Sequence, residues 1–412
     1  MSMPPALHLE FVHSALIDPR LNFARASTGT YIDRDGVLKT AQVNEPRIGY
    51  NPLTRERRGL LIEGARTNLA LRSQELDNAA WTKSACSITA NAASAPQGVV
   101  IADKIVEAAS SVRHYVAQSI AYTAGQDYCW SSMLKRSERK RARVRLPSGQ
   151  FSASAFVDVD LSTGAVIATG AGAVRGDCWP MGNGWYRAWV VTTATATASG
   201  NAEVEMLDDL SASAYAGDGA SGLYAVNMQC EIGAYPSSYI PTVLGTVSRA
   251  PDIATYPFAS LAYNADACGL VAEWVADHAY PSQAGVTQSY FVATLSDGSS
   301  SNYIRLMTDI GGLPRVVVRA AAATQATLTG AALGTGTLGK ASAGVQKDSI
   351  VAAFSAAAVQ TDMAADMPAG VNQITLGVSE TSGAQTYLDG YLRRLLFFNS
   401  RPSDAEIQAM AA

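Results

Sequence analysis

Alternation of apolar and polar positions dominates the chain. In "FVDVDL", Phe156 to Leu161, the residues Val157, Val159 and Leu161 mark one side of a half-buried strand, and the "STG" that follows reads as a turn. "VRHYVAQSIAY" (112–122), "YCWSSMLKR" (128–136), "ARVRLP" (142–147), "GWYRAWVVTTATATA" (184–198), "NAEVEML" and "SGLYAVNMQCEIG" repeat the pattern between Gly, Asn and Asp turns. Helical spacing is nearly absent. "SQELDNAAW" hints at one helical turn, and "SDAEIQAMAA" reads as a short terminal helix. Many short strands with frequent turn signals predict a β-sandwich.

Three regions separate. Residues 1–75 are turn-rich, with brief apolar pieces such as "TYID", "GVLKT" and "GLLIE", and read as an extended N-terminal arm and connection segment. Residues 76–255 carry the strands above. After the Pro- and Gly-interrupted "IPTVLGTVSRAPDIATYPF", residues 256–412 begin a second all-β unit with "CGLVAEWVADH", "QSYFVATLSD", "PRVVVRAAA" and "GYLRRLLFFNS". The simple Ala/Gly/Thr stretch from Ala320 to Gly344 reads as two small-residue strands around a turn at Gly330.

Composition narrows the partners. Over 412 residues, 48% hydrophobic content argues against disorder, while only 16% charged residues leave a surface built from Ser, Thr, Asn, Gln, Ala and Gly. A formal charge of −4 gives no reason to expect nucleic acid. The N-terminus lacks the basic and continuous apolar regions of a signal peptide, and no window reaches membrane-spanning length, so membrane insertion is not expected. Cys86, Cys129, Cys178, Cys230 and Cys268 are widely spaced with no CxxC, which predicts buried free thiols and no metal centre.

Three stretches carry a family resemblance: "FARASTGTYIDRDGVLKTAQVNEPRIGYNP…RGLLIEGARTNL" (Phe23 to Leu69), "GNGWYR" (Gly182 to Arg187) and "MQCEIGAYPSSYIPTVLGTVSRAPD" (Met228 to Asp252). Together they resemble tailed-bacteriophage virion proteins of tail fibres and head spikes. The resemblance implies a carbohydrate-binding-like jelly roll in the middle of the chain. "AEWVADH" from Ala272 and "LDGYLRRLLFFNSRPSDAEIQAM" (Leu388 to Met410) resemble a laminin-G or concanavalin-A-like sandwich. The resemblance further implies a virion-surface protein made in the bacterial host cytoplasm. Its expected partners are a host surface polysaccharide or lipopolysaccharide and other virion proteins. It would assemble as a homo-oligomer, a trimer being favoured. A purely structural spike, fibre base or decoration, and a polysaccharide-degrading enzyme, are the alternatives.

Candidate chemistry follows from aromatic and polar placement. Pyranose faces stack on aromatic rings, so Trp130, Trp179, Tyr186, Tyr280 and Tyr290 are candidate glycan contacts, with Trp179, beside Pro180 and read as a loop residue, foremost. Trp185 and Tyr186 point to opposite faces of a strand, and Trp185 is assigned to the core. Asp158 with Asp160 would sit on one strand face, but the pair reads as a solvated face and not as the paired carboxylates of a glycosidase. Glu203 with Glu205 likewise reads as surface. No HExxH or nucleophile-elbow pattern occurs, and no catalytic residue is assigned. No cofactor is expected; the oxygen-rich "LSDGSSSNYI" (Leu295 to Ile304) leaves calcium open. The basic run "LKRSERKRAR" (Leu134 to Arg143) reads as a hairpin end or as a contact to an acidic polysaccharide. Glu63, Arg66, Asn68, Arg249 and Asp252 are assigned to a structural connection. In it Glu63 and Arg66 would pair, and the flanks of the first sandwich would meet at one end.

Overall fold

The computed structural model describes residues 3–14, 16–258, 263–278, 280, 289–355, 357–379 and 387–412. The protein is all-β, built from antiparallel sheets that pack as two sandwiches. In the first, a six-stranded sheet runs in the order Arg175–Gly182, Trp185–Thr193, Asp127–Arg136, Gly222–Ile232, Val100–Glu107, Cys86–Ser94. The opposing seven-stranded sheet is centred on Arg141–Leu146, Ala198–Leu207 and Ser111–Tyr122. Alternation dictates what lies between them. Trp130, Leu134 and Val190 from one sheet meet Val116, Val144, Val157 and Val204 from the other in a single buried core.

The second sandwich is not made from the C-terminal residues alone. Its Gly390–Phe398 strand pairs on one side with Ala267–Val275 and on the other with Leu7–Glu10 and Arg57–Ile62, in register Leu7↔Phe397 and Leu61↔Tyr391. In the facing sheet, Asn22–Ala24 pairs with Ile253–Pro257. Leu7–Glu10, Asn22–Ala24 and Arg57–Ile62 thus help complete sheets whose other strands lie mostly beyond residue 252, whereas Gly29–Ile32 and Leu38–Ala41 pair with each other in a separate two-stranded sheet. Leu7, Leu9, Leu60 and Ile62 join Leu270, Trp274, Ile304 and Phe397 in one core. Each such fully buried aliphatic side chain stabilises the fold by about 1.5–3 kcal/mol. Gly59, at φ +130°, lets the chain lie against its neighbour, because a Cβ there would sit 2.2 Å from the Leu392 carbonyl oxygen.

Two local expectations change. "SQELDNAAW" forms successive turns and no helix, and Trp81 at its end drops into the first core, donating from Nε1 to the Arg72 carbonyl at 3.1 Å. The two small-residue strands, Ala323–Thr329 and Gly339–Gln346, belong to opposite sheets, so residues 330–338 cross the sandwich and do not form a tight turn. Asp404–Met410 is a helix closed by a capping box between Ser403 and Glu406. Among the described residues no helix is long and apolar enough to cross a membrane.

Candidate functional site

The first sandwich is entered by the strand Arg66–Asn68 and left by Val247–Arg249, and these two pair antiparallel, with Arg249 opposite Arg66. Around that joint lies a buried ionic network. Asp252 accepts from Arg25 at 3.0 Å and from Arg47 at 2.5 Å, and its Oδ2 also accepts the Glu63 backbone N–H at 2.9 Å. Glu63 lies 2.7 Å from Arg47 and 2.6 Å from Arg249, and accepts from the Ser238 backbone and hydroxyl, each at 2.7 Å. Burial works against the Glu63 charge, but Arg249 and Arg47 outweigh it and hold the carboxyl well below the usual range. Asn68 satisfies its whole amide: Nδ2 donates to the Met228 and Ile240 carbonyls, and Oδ1 accepts from Ala70 and Cys230. The expected Glu63–Arg66 pair is not formed. Arg66 instead lies 3.8 Å from both Glu231 and Asp389, because Arg47 and Arg249 occupy the Glu63 oxygens. The three stretches that carry the family resemblance supply Arg25, Arg47, Glu63, Arg66, Arg187, Glu231, Ser238, Arg249 and Asp252. They therefore converge on this one region.

Above the network opens a cavity of about 320 Å³ between the two sandwiches, walled by both and by the N-terminal strands. Its aromatic lining comes from Trp179, Tyr31, Tyr50, Tyr235, Tyr239 and Tyr391. Trp179 lies on the strand Arg175–Gly182, half-buried, edge-on to Trp189 at 5.3 Å, with Nε1 donating to Asp177 at 3.2 Å. Polar groups converge between the rings. Arg58 makes two 2.5 Å hydrogen bonds to Asp277 and lies over the Tyr391 ring at 4.2 Å. Asp389 accepts from Gly64 at 2.7 Å and from the Tyr235 hydroxyl at 2.6 Å. His278 also lines the cavity, stacked on Tyr235 with 4.0 Å between ring centres. Its Nδ1 accepts the Tyr280 backbone N–H at 3.2 Å, so the proton sits on Nε2, which points to the Asp389 carbonyl at 3.0 Å. Burial lowers this imidazole to about 4, against the opposing pull of Asp389 and Asp277. A smaller hollow of about 170 Å³, lined by Tyr186, adjoins the first through the shared residues Leu53 and Pro180.

No protein-family profile and no curated protein sequence matches the chain. Solved structures offer distant likenesses. The CBM40 module of a Ruminococcus gnavus IT-sialidase, bound to α2,3-sialyllactose, is similar over 36% of this chain and 84% of its own, at 15% identity and TM-score 0.30. The LG4–5 domains of mouse laminin α1 chain cover 74% of this chain and 92% of their own, at 10% identity and TM-score 0.25. The CBM22 tandem of Paenibacillus barcinonensis Xyn10C covers 84% of this chain and 97% of its own, at 10% identity and TM-score 0.24.

The candidate aromatics divide by burial. Trp130 is fully buried, with Nε1 donating to the Glu203 carbonyl at 2.8 Å, while Tyr280 and Tyr290 are each 1% exposed within the second core. None of the three offers a ring face to a ligand: Trp130 and Tyr290 point inward from their strands, and Tyr280, outside any strand, packs edge-on to Tyr290 with 5.2 Å between ring centres. Trp179 and Tyr186 remain accessible, on neighbouring strands where Pro180 faces Tyr186. Trp179 is a strand residue and not a loop residue. Trp185 is core, 1% exposed, and donates to the Ser94 carbonyl at 3.0 Å.

Of the carboxylates read as surface groups, Asp158, Glu203 and Glu205 are buried, and Asp160 is only partly covered. Asp158, Glu203 and Glu205 are almost wholly covered on the outer side of the seven-stranded sheet, where Arg143 binds Asp158 at 2.6 Å and Arg113 binds Glu203 at 2.6 Å and Glu205 at 2.8 Å. Part of the basic run is drawn into pairs as well, since Arg139 meets Glu107 at 2.5 Å. In the oxygen-rich loop, Asp297 accepts from the backbone and hydroxyl of Ser299 and from Asn302. No group of three His, Cys, Asp or Glu side chains gathers as metal ligands among the described residues. All five cysteines are free, four buried and Cys86 partly so.

Sequence reading missed Tyr31, Tyr50, Arg58, Arg187, Asp277 and Tyr391. The N-terminal pieces "TYID" and "IGYNP" carried an aromatic signal, but only the long-range pairing of Arg57–Ile62 with Gly390–Phe398 brings them to one cleft.

Proposed function

We propose that the inter-sandwich cleft binds a glycan without turning it over, and that the protein is a bacteriophage virion appendage attaching to host surface polysaccharide or lipopolysaccharide. The observation that carries the reading is the half-buried Trp179 beside Tyr31, Tyr50 and Tyr391, with hydrogen-bonding groups set between the rings. Aromatic faces take the apolar side of a pyranose, and fixed polar groups select its hydroxyls. The carboxylates around the cleft are engaged: Glu63, Asp252 and Asp277 with guanidinium groups, and Asp389 with Gly64 and Tyr235. That commitment suits fixed recognition better than proton transfer. Assembly as a homo-oligomer, a trimer being favoured, would multiply weak single-site contacts.

A purely structural spike draws support from a different observation. The edge strand Ala165–Thr169 is exposed throughout and presents Val166 and Ile167 with no charge among its residues, a natural docking edge. One experiment separates the two. Purified wild type and Trp179→Ala are compared as competitors of phage adsorption and as binders of immobilised host polysaccharide. Binding and blocking by wild type that Trp179→Ala loses, at unchanged melting temperature, is the result expected of a receptor-binding cleft. No blocking and no retention by wild type would leave the structural spike.

A further inference from the structure

The charge inventory beneath the cleft does not balance. Arg25, Arg47, Arg187 and Arg249 are buried and Arg66 partly so, against the buried carboxylates of Glu63, Glu231 and Asp252 and the partly buried one of Asp389. The adjoining pairs Arg58–Asp277 and Arg175–Asp127 are each neutral within themselves. One guanidinium is left over, and its identity is clear from the contacts.

Arg187 is 5% exposed, lines the cavity, and has no carboxylate within 4.0 Å among the described residues. Its contacts are neutral: Nε and Nη2 donate to the Ser131 hydroxyl at 3.3 and 3.0 Å, and Nη1 donates to the Ser237 carbonyl at 2.6 Å. Glu231, the carboxylate that acts most strongly on it, is already taken by Gln229, by the backbone and hydroxyl of Ser237, and more distantly by Arg66. A guanidinium has five N–H donors. Three are accounted for, leaving one on each terminal nitrogen. Burial pushes Arg187 below its ordinary value, against the more distant pull of Glu231. An unpaired buried cation is a costly thing for a fold to keep unless a ligand completes it.

We propose that Arg187 is the anion subsite of the cleft, and that the bound glycan carries an oxyanion, either the carboxylate of a uronic acid or a phosphate substituent. This rests on the glycan-binding reading above and names the ligand class for the same site. Trp179 stands opposite Arg187 in strand register, so a sugar ring on the indole would lie next to the guanidinium that takes its charged group. The paired terminal N–H groups fit a planar carboxylate in two-point fashion and also reach a phosphate oxygen.

The test uses the full chain and four probes: oligogalacturonate, its methyl ester, a phosphorylated mannan and a neutral mannan. Wild type is expected to hold one acidic probe about tenfold to a hundredfold more tightly than its neutral counterpart, the worth of a charge-assisted hydrogen bond. Selectivity for oligogalacturonate assigns the carboxylate, and selectivity for the phosphorylated mannan assigns the phosphate. Arg187→Met, which removes the charge at similar volume, should erase the preference. Arg187→Lys should retain part of it. The wild-type acid-to-neutral ratio stands even if the methionine variant fails to fold. Equal affinity for acidic and neutral probes, still lost in Trp179→Ala, overturns the anion subsite and leaves the cleft a neutral-glycan site. No binding to any probe overturns both.

Discussion

Acidification should weaken this protein through His278. The imidazole is buried among Tyr235, Tyr280 and Tyr290, with Asp277 and Asp389 the charged groups facing it. Protonating Nδ1 would turn an N–H against the Tyr280 N–H that it now accepts. Its folded value of about 4 lies below the ordinary 6.5, so the unfolded chain binds the proton first as pH falls. The contribution is therefore fully present above pH 6.5 and is lost progressively between 6.5 and about 4. Worked between pH 7 and pH 5, the loss is about 2 kcal/mol. Urea unfolding followed by tryptophan fluorescence at both pH values would measure it in wild type and in His278→Gln. The glutamine can donate to the Asp389 carbonyl and accept from Tyr280 without titrating. The variant should show a shallower pH dependence by that amount, and subtraction removes every other titrating group. Equal slopes in the two proteins, or a wild type more stable at pH 5 than at pH 7, would refute the reasoning.

Other outcomes follow from the same geometry. Glu63→Gln leaves Arg47 and Arg249 short of a shared counter-charge and should destabilise the protein by about 3–5 kcal/mol, read by chemical denaturation. Below pH 4.5, where the unfolded chain begins to protonate this group, the gap between wild type and variant should narrow, since the depressed carboxyl contributes only while the unfolded form is ionised. Trp130→Ala should lose about 3–5 kcal/mol through its core cavity, whereas Trp179→Ala should leave the melting temperature nearly unchanged and weaken glycan retention by about tenfold. Gly59→Ala, forced to hold φ +130° with a Cβ against the Leu392 carbonyl, should destabilise by about 1–3 kcal/mol in the same denaturation assay.

The strands were legible because a half-buried strand writes itself as alternation: "FVDVDL" became Ala155–Asp160 with Val157 and Val159 inside. Pairing is written nowhere so locally. Nothing in "GLLIE" announces that Leu60 to Ile62 run beside Gly390 to Leu392, so the N-terminal segment read as an arm and the cleft it walls stayed invisible. The same gap explains Glu203 and Glu205. Charge on alternate residues signals a polar face, but whether that face is open depends on Arg113 and Arg145 arriving from other strands. Trp130 and Trp179 look alike as letters; one faces the opposing sheet and the other the neighbouring sandwich. In contrast, the joint of Arg66–Asn68 with Val247–Arg249 was readable from two motifs that flank one domain.

The pairing of Leu7–Glu10 with Gly390–Phe398 sets an order of events during synthesis. All strands of the first sandwich lie within one continuous run of chain, so they have every partner as soon as Gly222–Ile232 has left the ribosome. The second sandwich cannot close its central sheet until the last strand emerges, and meanwhile the apolar Leu7, Leu9, Leu60 and Ile62 wait uncovered on a growing polypeptide. An early stop that removes Gly390–Phe398 would therefore injure both ends of the molecule at once, while leaving the middle free to fold.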